Sequence, residues 1–386
     1  MNQLADQISD TLRKFFNEKG SVHLSEPSID KVDIDEVVKC LESGWVSSAG
    51  PEITKFEELL KEMTGAKYCI ATVNGTAALH LSMICSGLKP NQEVLTPALT
   101  FVGTTNPILY SNAIPHFIES EEDSLGIDAQ KLKSYLKKIV LIKNGKTFNS
   151  TTGRELFGLI SMHTFGLASK TKEILEVCEE FNLKLIEDAA EALGTYDNGK
   201  HVGLAGSAGI LSFNGNKVIT TGGGGAVITN DEEIASNVRH LSTTAKVPHA
   251  YEFIHDQIGY NYRMPNLNAS LGVAQMTKLS DHLKSKRSLH SKYEDLFLDM
   301  NGVTLISELK DTKSNYWLNA ILLDEENIEL RNKTIESCIA KGIMVRPVWK
   351  LQSELDAFKA YPKMDLEVAT SLSKRIINLP SSPGLI

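Results

Sequence analysis

The sequence predicts an α/β protein in which helices cover both faces of a mostly parallel sheet, followed by a smaller C-terminal α+β domain. Three observations carry this. From residue 68 onward, short apolar runs alternate with stretches of helical period. Two of the runs, SAGILSF and GAVITN, lie close together in the chain, so the sheet is expected to be mixed. A last β-α-β pattern, YWLNAILL, IELRNKTIESCIAKG and IMVRPVW, stands apart near the C-terminus.

The elements follow in order. Leu4, Ile8, Leu12 and Phe15 stand at helical spacing over residues 3 to 16, which predicts an amphipathic leading helix that packs on the body or on a partner. Ile34, Val37, Val38 and Leu41 predict a second helix closed by Gly44, and Phe56, Leu59, Leu60 and Met63 a third that ends near Gly65. The alternating region then runs YCIAT, TAALHLSMICSG, EVLTP, TTNPILYSN, AIPHFI, LFGLISMH, KEILEVCEEF and LKLIED. The polar stretch KNGKTFNSTTGRE, 143 to 155, interrupts it and reads as a protruding hairpin or loop. A long helical stretch is expected from Asn266 to about Met300. The expected organisation is a helical extension at 1–22, a large α/β domain at 23–258 and a smaller domain at 259–386.

A chain of 386 residues with 42% hydrophobic content suits roughly two domains with a large core. Its net charge of −8, with Lys and Arg scattered, offers no basic face for nucleic acid. Acidic residues in the first segment, and no apolar run of membrane-spanning length, predict a cytoplasmic protein with no membrane partner. Cys40, Cys69, Cys85, Cys178 and Cys338 form no CxxC pair, so they are read as buried or inert thiols, with no metal site.

Chemistry concentrates in three places. In Asn74-Gly75-Thr76-Ala77, a strand ends in small residues and a helix begins; free N–H groups beside a Thr hydroxyl make a phosphate cradle. An ordinary capped turn has the same composition. In Leu185-Ile186-Glu187-Asp188-Ala189-Ala190-Glu191, an apolar strand runs into carboxylates at its C-terminal end, where ligands of open α/β sheets sit. A carboxylate there can keep a pyridinium nitrogen protonated, or merely cap the next helix. In Ser212-Phe213-Asn214-Gly215-Asn216-Lys217, a strand delivers a lysine into a turn of small residues before four glycines, Gly222 to Gly225. Such a lysine can lose its proton and form an imine, although most lysines are only solvated. Their order along the chain is the one a fold-type I pyridoxal-phosphate (PLP) enzyme needs.

With these blocks in view, the sequence resembles the DegT/DnrJ/EryC1/StrS family of sugar-nucleotide aminotransferases from about residue 22 to the end. The resemblance rests on SGWVSSAGPEITKFEELLKEMTGAKYCIATVNGTAALHLSM, TPALTFVGTTNPILY, LISMHTFG, IEDAAEALG, SFNGNKVITTGGGGAVITN, GYNYRMPNLNASLGVAQ and INLPSSP. The polar insertion, the NGNK turn and the NLPSSP ending look most like the branch that aminates 4-keto sugars for legionaminic acid and related bacterial surface sugars.

The resemblance implies a fold-type I transferase with PLP as cofactor. Lys217 would hold it as a Schiff base and move protons, and Asp188 would pair with the ring nitrogen. Phe101 would stack on the ring, where the alternative is a buried core Phe. Gly75, Thr76, Ala77 and Ser212 would hold the phosphate, with Asn261 reaching it from the second subunit of a homodimer. The substrates implied are L-glutamate and a nucleotide-linked 4-keto-6-deoxyhexose.

Two departures stand out. Glu191 occupies a position where many relatives carry His or Gln, and a carboxylate beside the cofactor's phenolate would be repelled unless protonated, turned away or addressed to substrate. Asn214 and Gly215 replace His-Pro or Tyr-Pro. His163 matches a recurring histidine near the cofactor, or a satisfied structural one, and Trp349 in Pro347-Val348-Trp349 is a candidate for the sugar pocket. Arg239, Arg263 and Arg346 are candidates for the diphosphate, or ordinary ion-pair partners.

Two rival readings and a further enzyme class stand beside this one. A dehydratase of the same family would carry His in place of Lys217; in a non-catalytic PLP-binding protein the site would sense the cofactor or serve as an oligomerisation scaffold, and nothing resembling a DNA-binding module is seen in the sequence. A nicotinamide dehydrogenase would need a GxGxxG turn that NGTAAL does not supply.

Overall fold

A computed structural model describes residues 2–17 and 19–386 of the chain. The helical extension expected at 1–22 thus includes two residues, 1 and 18, that lie outside the described residues. Seven strands form the central sheet: β1 (Tyr68–Thr72), β2 (Glu93–Pro97), β3 (Ile114–Ile118), β4 (Leu156–Met162), β5 (Lys184–Asp188), β6 (Ala208–Ser212) and β7 (Gly225–Thr229). Their spatial order is β1-β7-β6-β5-β4-β2-β3. The pairs from β6 through β5, β4 and β2 to β3 are parallel, whereas β7 runs antiparallel to both β1 and β6. The sheet is mixed, and β1, β5 and β6 all end on one edge.

Alternation along these strands divides the core. Ile70, Ile210 and Val227 face α4 (Gly75–Cys85) and α8 (Glu232–Ser242), while Cys69, Ala71, Leu211, Ala226 and Ile228 face α3 (Pro51–Thr64) and α9 (Asn266–Met276). Phe56 of α3 meets Phe213 edge to face at 5.0 Å, which seats the residue following Ser212. The segment 140–149 is an antiparallel hairpin, as the polar insertion suggests. It is tied to the sheet through buried Glu93, which accepts from Asn149 Nδ2 at 2.9 Å and from Thr152 Oγ1 at 2.5 Å.

The smaller sheet comprises β8 (Val303–Leu305), β9 (Asn319–Leu323), β10 (Arg346–Pro347) and β11 (Ile376–Leu379), antiparallel in the order β8-β9-β11-β10. It packs with α11 (Ile328–Ala340) and with α1 (Asn2–Phe15), whose Ile8 and Leu12 are fully buried beside Tyr293 and Ile321. The leading helix is therefore part of the smaller domain's core. The stretch from Asn266 is two helices, α9 and α10 (Leu279–Phe297), broken at Thr277 and Lys278. Because α9 lies against α3 and Arg263 bridges Thr72, the segment that begins at residue 259 packs with the large sheet through residue 276.

Helix α2 (Lys31–Ser43) forms where the spacing predicts it, but its apolar face is turned outward: Val32, Ile34, Val38 and Leu41 are all exposed, and the helix buries Asp33 and Cys40 instead. Asp33 is held by Gln275 Nε2 at 2.9 Å and by the Lys278 ammonium. Cys40, Cys69, Cys178 and Cys338 are buried, Cys85 is half-buried, and all five are free. No described helix is long and apolar enough to cross a membrane.

Candidate active site

The three sequence blocks meet where β1, β5 and β6 end. After β1, Asn74 caps α4, its Oδ1 accepting from Ala77 N at 2.8 Å. Gly75 and Thr76 thus keep first-turn N–H groups for a ligand. Ala77 does not: its N–H is consumed by the cap and its side chain is buried, which corrects its place in the phosphate cradle. The backbone of β7 passes close behind this turn. A Cβ on Gly225 would stand 2.4 Å from the Asn74 carbonyl carbon and 2.5 Å from Gly75 N, so the approach requires glycine.

After β5, Asp188 is buried, with Oδ2 accepting from Thr104 Oγ1 at 2.8 Å and Oδ1 from Ala190 N at 3.1 Å. Burial pushes its carboxyl above the usual range, against the pull of those bonds and of Lys217. A cation brought to Asp188 would relieve that cost.

After β6, the turn Asn214–Lys217 is closed by Lys217 N donating to Asn214 O at 3.0 Å. The Lys217 ammonium lies 3.4 Å from Glu191 Oε1 and 3.8 Å from the centroid of the Trp317 ring. Glu191 is buried, and its Oε2 accepts from Phe165 N at 2.9 Å. Burial raises the Glu191 carboxyl to about 7, an effect that Lys217 only partly offsets. Glu191 is thus a carboxyl turned to Lys217 and readily protonated.

These groups line one cavity of about 350 Å³, together with Gly103, Thr104, Met162, Asn214, Asn216 and Trp349. Phe101 is 52% exposed at its lip, which places it in the site and not in the core. Trp349 stands between Phe101 and Phe165, with centroids at 6.4 and 5.3 Å. An anion cradle at a helix start, a buried carboxylate, an amine and an aromatic lip fit a pyridine aldehyde that carries a phosphate.

Several expected residues lie elsewhere. His163 is fully buried behind the cavity, with Nε2 3.2 Å from Glu187 Oε1 and Nδ1 accepting from Ser169 N at 3.2 Å. Both ring nitrogens are engaged, so it supports the β4 and β5 ends rather than meeting a substrate. Asn261 is exposed and outside the cavity. Arg239 is tied to Glu57 at 2.9 Å, Arg263 lies beside Thr72, and Arg346 is exposed; none lines the cavity.

Among the cavity residues that sequence reasoning missed, Thr104 and Trp317 are the ones that touch Asp188 and Lys217. Thr104 stands one residue past the glycine of the TFVGTT block, a readable helix-start signal. Trp317 lies 100 positions from Lys217 in a segment that reads as strand, and no local pattern points to it.

The chain matches the DegT/DnrJ/EryC1/StrS aminotransferase family over residues 27–386. It is 34% identical to the GDP-perosamine synthase of Vibrio cholerae over 361 residues, which is 93% of this chain and 94% of that protein. It is 32% identical over 360 residues to the UDP-4-amino-4,6-dideoxy-N-acetyl-beta-L-altrosamine transaminase of Campylobacter jejuni, 92% of this chain and 91% of the other. Among solved structures it resembles Helicobacter pylori PseC, an aminotransferase involved in the biosynthesis of pseudoaminic acid. That match has a TM-score of 0.83 at 25% identity and covers 94% of each chain.

Proposed function

The chain belongs to the DegT/DnrJ/EryC1/StrS aminotransferase family, whose members depend on PLP, and from that premise we propose that it aminates C4 of a nucleotide-linked 4-keto-6-deoxyhexose with L-glutamate as donor. The observation that carries this reading is the convergence of Lys217, Asp188 and the Gly75–Thr76 turn on one cavity with an aromatic lip. The C4 position is supported by the C. jejuni relative, whose name specifies a 4-amino-4,6-dideoxy sugar on UDP.

When bound, PLP supplies an electron sink for the negative charge left as a proton departs from the carbon bearing nitrogen. Asp188 holds the proton on the ring nitrogen, and Thr104 orients Asp188 for it. Lys217 takes the proton from Cα of the donor and in the second half-reaction returns one to C4 of the sugar. Gly75, Thr76 and Ser212 would hold the phosphate, Phe101 would cover the ring, and Asn214 and Trp349 would meet the sugar.

A second copy of the chain completes the site in this reading. Ile29, Val32, Ile34, Val38, Leu41 and Trp45 are all exposed on and around α2, an apolar surface of the kind that marks an interface. The exposed Asn261 then serves the partner's phosphate. We assign the substrate to surface sugars of the legionaminic type, a reading supported by the resemblance of the polar insertion and the Asn214–Lys217 turn to that branch, and the work to the cytoplasm.

Incubating the enzyme with glutamate and a panel of UDP- and GDP-linked keto sugars tests this proposal. The expected result is a 4-amino product. Reaction of 3-keto sugars alone overturns the positional assignment.

A further inference from the structure

Lys286, on α10, is fully buried, and among the described residues no carboxylate stands within ion-pair distance of it. Its ammonium donates instead to three backbone carbonyls: Trp317 O at 3.0 Å, Tyr316 O at 3.5 Å, and Ser381 O. Burial draws its pKa down to about 7. Keeping a lysine in such a place is costly, so the carbonyls it gathers are informative.

Two of them belong to a constrained loop. Tyr316 has φ +45°, a left-handed conformation that a bulky residue adopts only when its surroundings impose it. Its ring is pinned by stacking on His290 at 3.7 Å. Trp317 N donates to Asn315 Oδ1 at 2.7 Å, and Asn315 Nδ2 donates to Glu191 O at 2.8 Å. The indole Nε1 of Trp317 donates to Asn216 O at 2.7 Å, directly before Lys217, and its ring lies under the Lys217 ammonium.

We propose that Lys286 is a positioning residue for Lys217, acting through Trp317. By tying the Tyr316 and Trp317 carbonyls together with that of Ser381, it holds the indole where its face stabilises the cationic form of Lys217 and its N–H fixes the preceding carbonyl. The other charged groups near Lys217 are Glu191 and Asp188; one turn to either side of Lys286 on α10 stand the titratable His282 and His290, the latter stacked on Tyr316. The inference rests on Lys217 being the residue that captures PLP.

The test is made on enzyme stripped of cofactor. PLP is added across a range of pH, and the rate at which the visible band grows is recorded, since only the neutral Lys217 amine attacks. Lys286→Met and Trp317→Leu are each expected to lower the pH midpoint of this rate by about half to one pH unit. The double variant should shift no further than either alone. Tyr316→Gly keeps Lys286 and loosens the same loop by removing the ring that stacks on His290, and a lowered midpoint is expected there as well; this arm carries the test if Lys286→Met does not fold. An unchanged midpoint in folded Lys286→Met, or in Tyr316→Gly, overturns the proposal, as do additive shifts in the double variant. Absence of any band in the wild-type protein would instead contradict the reading of Lys217 itself.

Discussion

The Glu191 carboxylate and the Lys217 ammonium stand 3.4 Å apart at the head of the cavity, and Glu191 is the more deeply buried of the two. Burial sets the behaviour of this pair. A carboxyl whose ordinary value is 4.5 is raised to about 7, so between those limits the folded protein keeps a proton that the unfolded chain has released.

Stability of the cofactor-free protein should therefore fall as pH rises through that window. Glu191→Gln removes this contribution. Relative to the variant, wild type should lose on the order of 3 kcal/mol between pH 4.5 and about 7. Urea denaturation of both proteins across this range measures the difference, and parallel pH profiles would contradict the assignment.

Thr104 donates to Asp188 at 2.8 Å inside the protein, a hydrogen bond to a group meant to be charged. Thr104→Val keeps the shape and removes the donor. A loss of about 1.5–3 kcal/mol is expected, which is roughly 10- to 150-fold in turnover with the substrate KM little changed. Steady-state kinetics with glutamate checks it; a change confined to KM would place Thr104 in substrate binding.

At Gly225 a methyl group would meet the backbone of Asn74 and Gly75, which cannot swing aside as a side chain can. Gly225→Ala should cost about 1–3 kcal/mol of stability. It should also weaken PLP binding by about tenfold or more through displacement of the phosphate turn. Thermal denaturation and a PLP titration read the two effects separately.

Much of this site is legible in the sequence because its parts lie at strand ends, where composition changes sharply. Asp188 ends an apolar run, Gly75 and Thr76 follow one, and Lys217 sits between a strand and four glycines. Ala77 was misplaced because residue type does not reveal that Asn74 claims its N–H. His163 keeps two readings in the sequence, because a buried ring between Glu187 and Ser169 has the same sequence neighbourhood as one that faces a cofactor, and the geometry is that of the structural one. Helical spacing on α2 marks an apolar face without saying whether the protein's own core or another copy covers it. Trp317 and Lys286 could not be read at all, since the contact of Trp317 with Lys217 spans 100 positions and that of Lys286 with Ser381 spans 95.

The central claim is that Lys217 carries the cofactor covalently and moves the proton. Its most direct test is the visible spectrum of the purified protein with PLP, before and after addition of L-glutamate, beside Lys217→Ala. The account predicts a visible band that bleaches with the donor and is missing from the variant. A wild-type protein that develops no band with added PLP, or a Lys217→Ala protein that shows the same bleaching band, would contradict it.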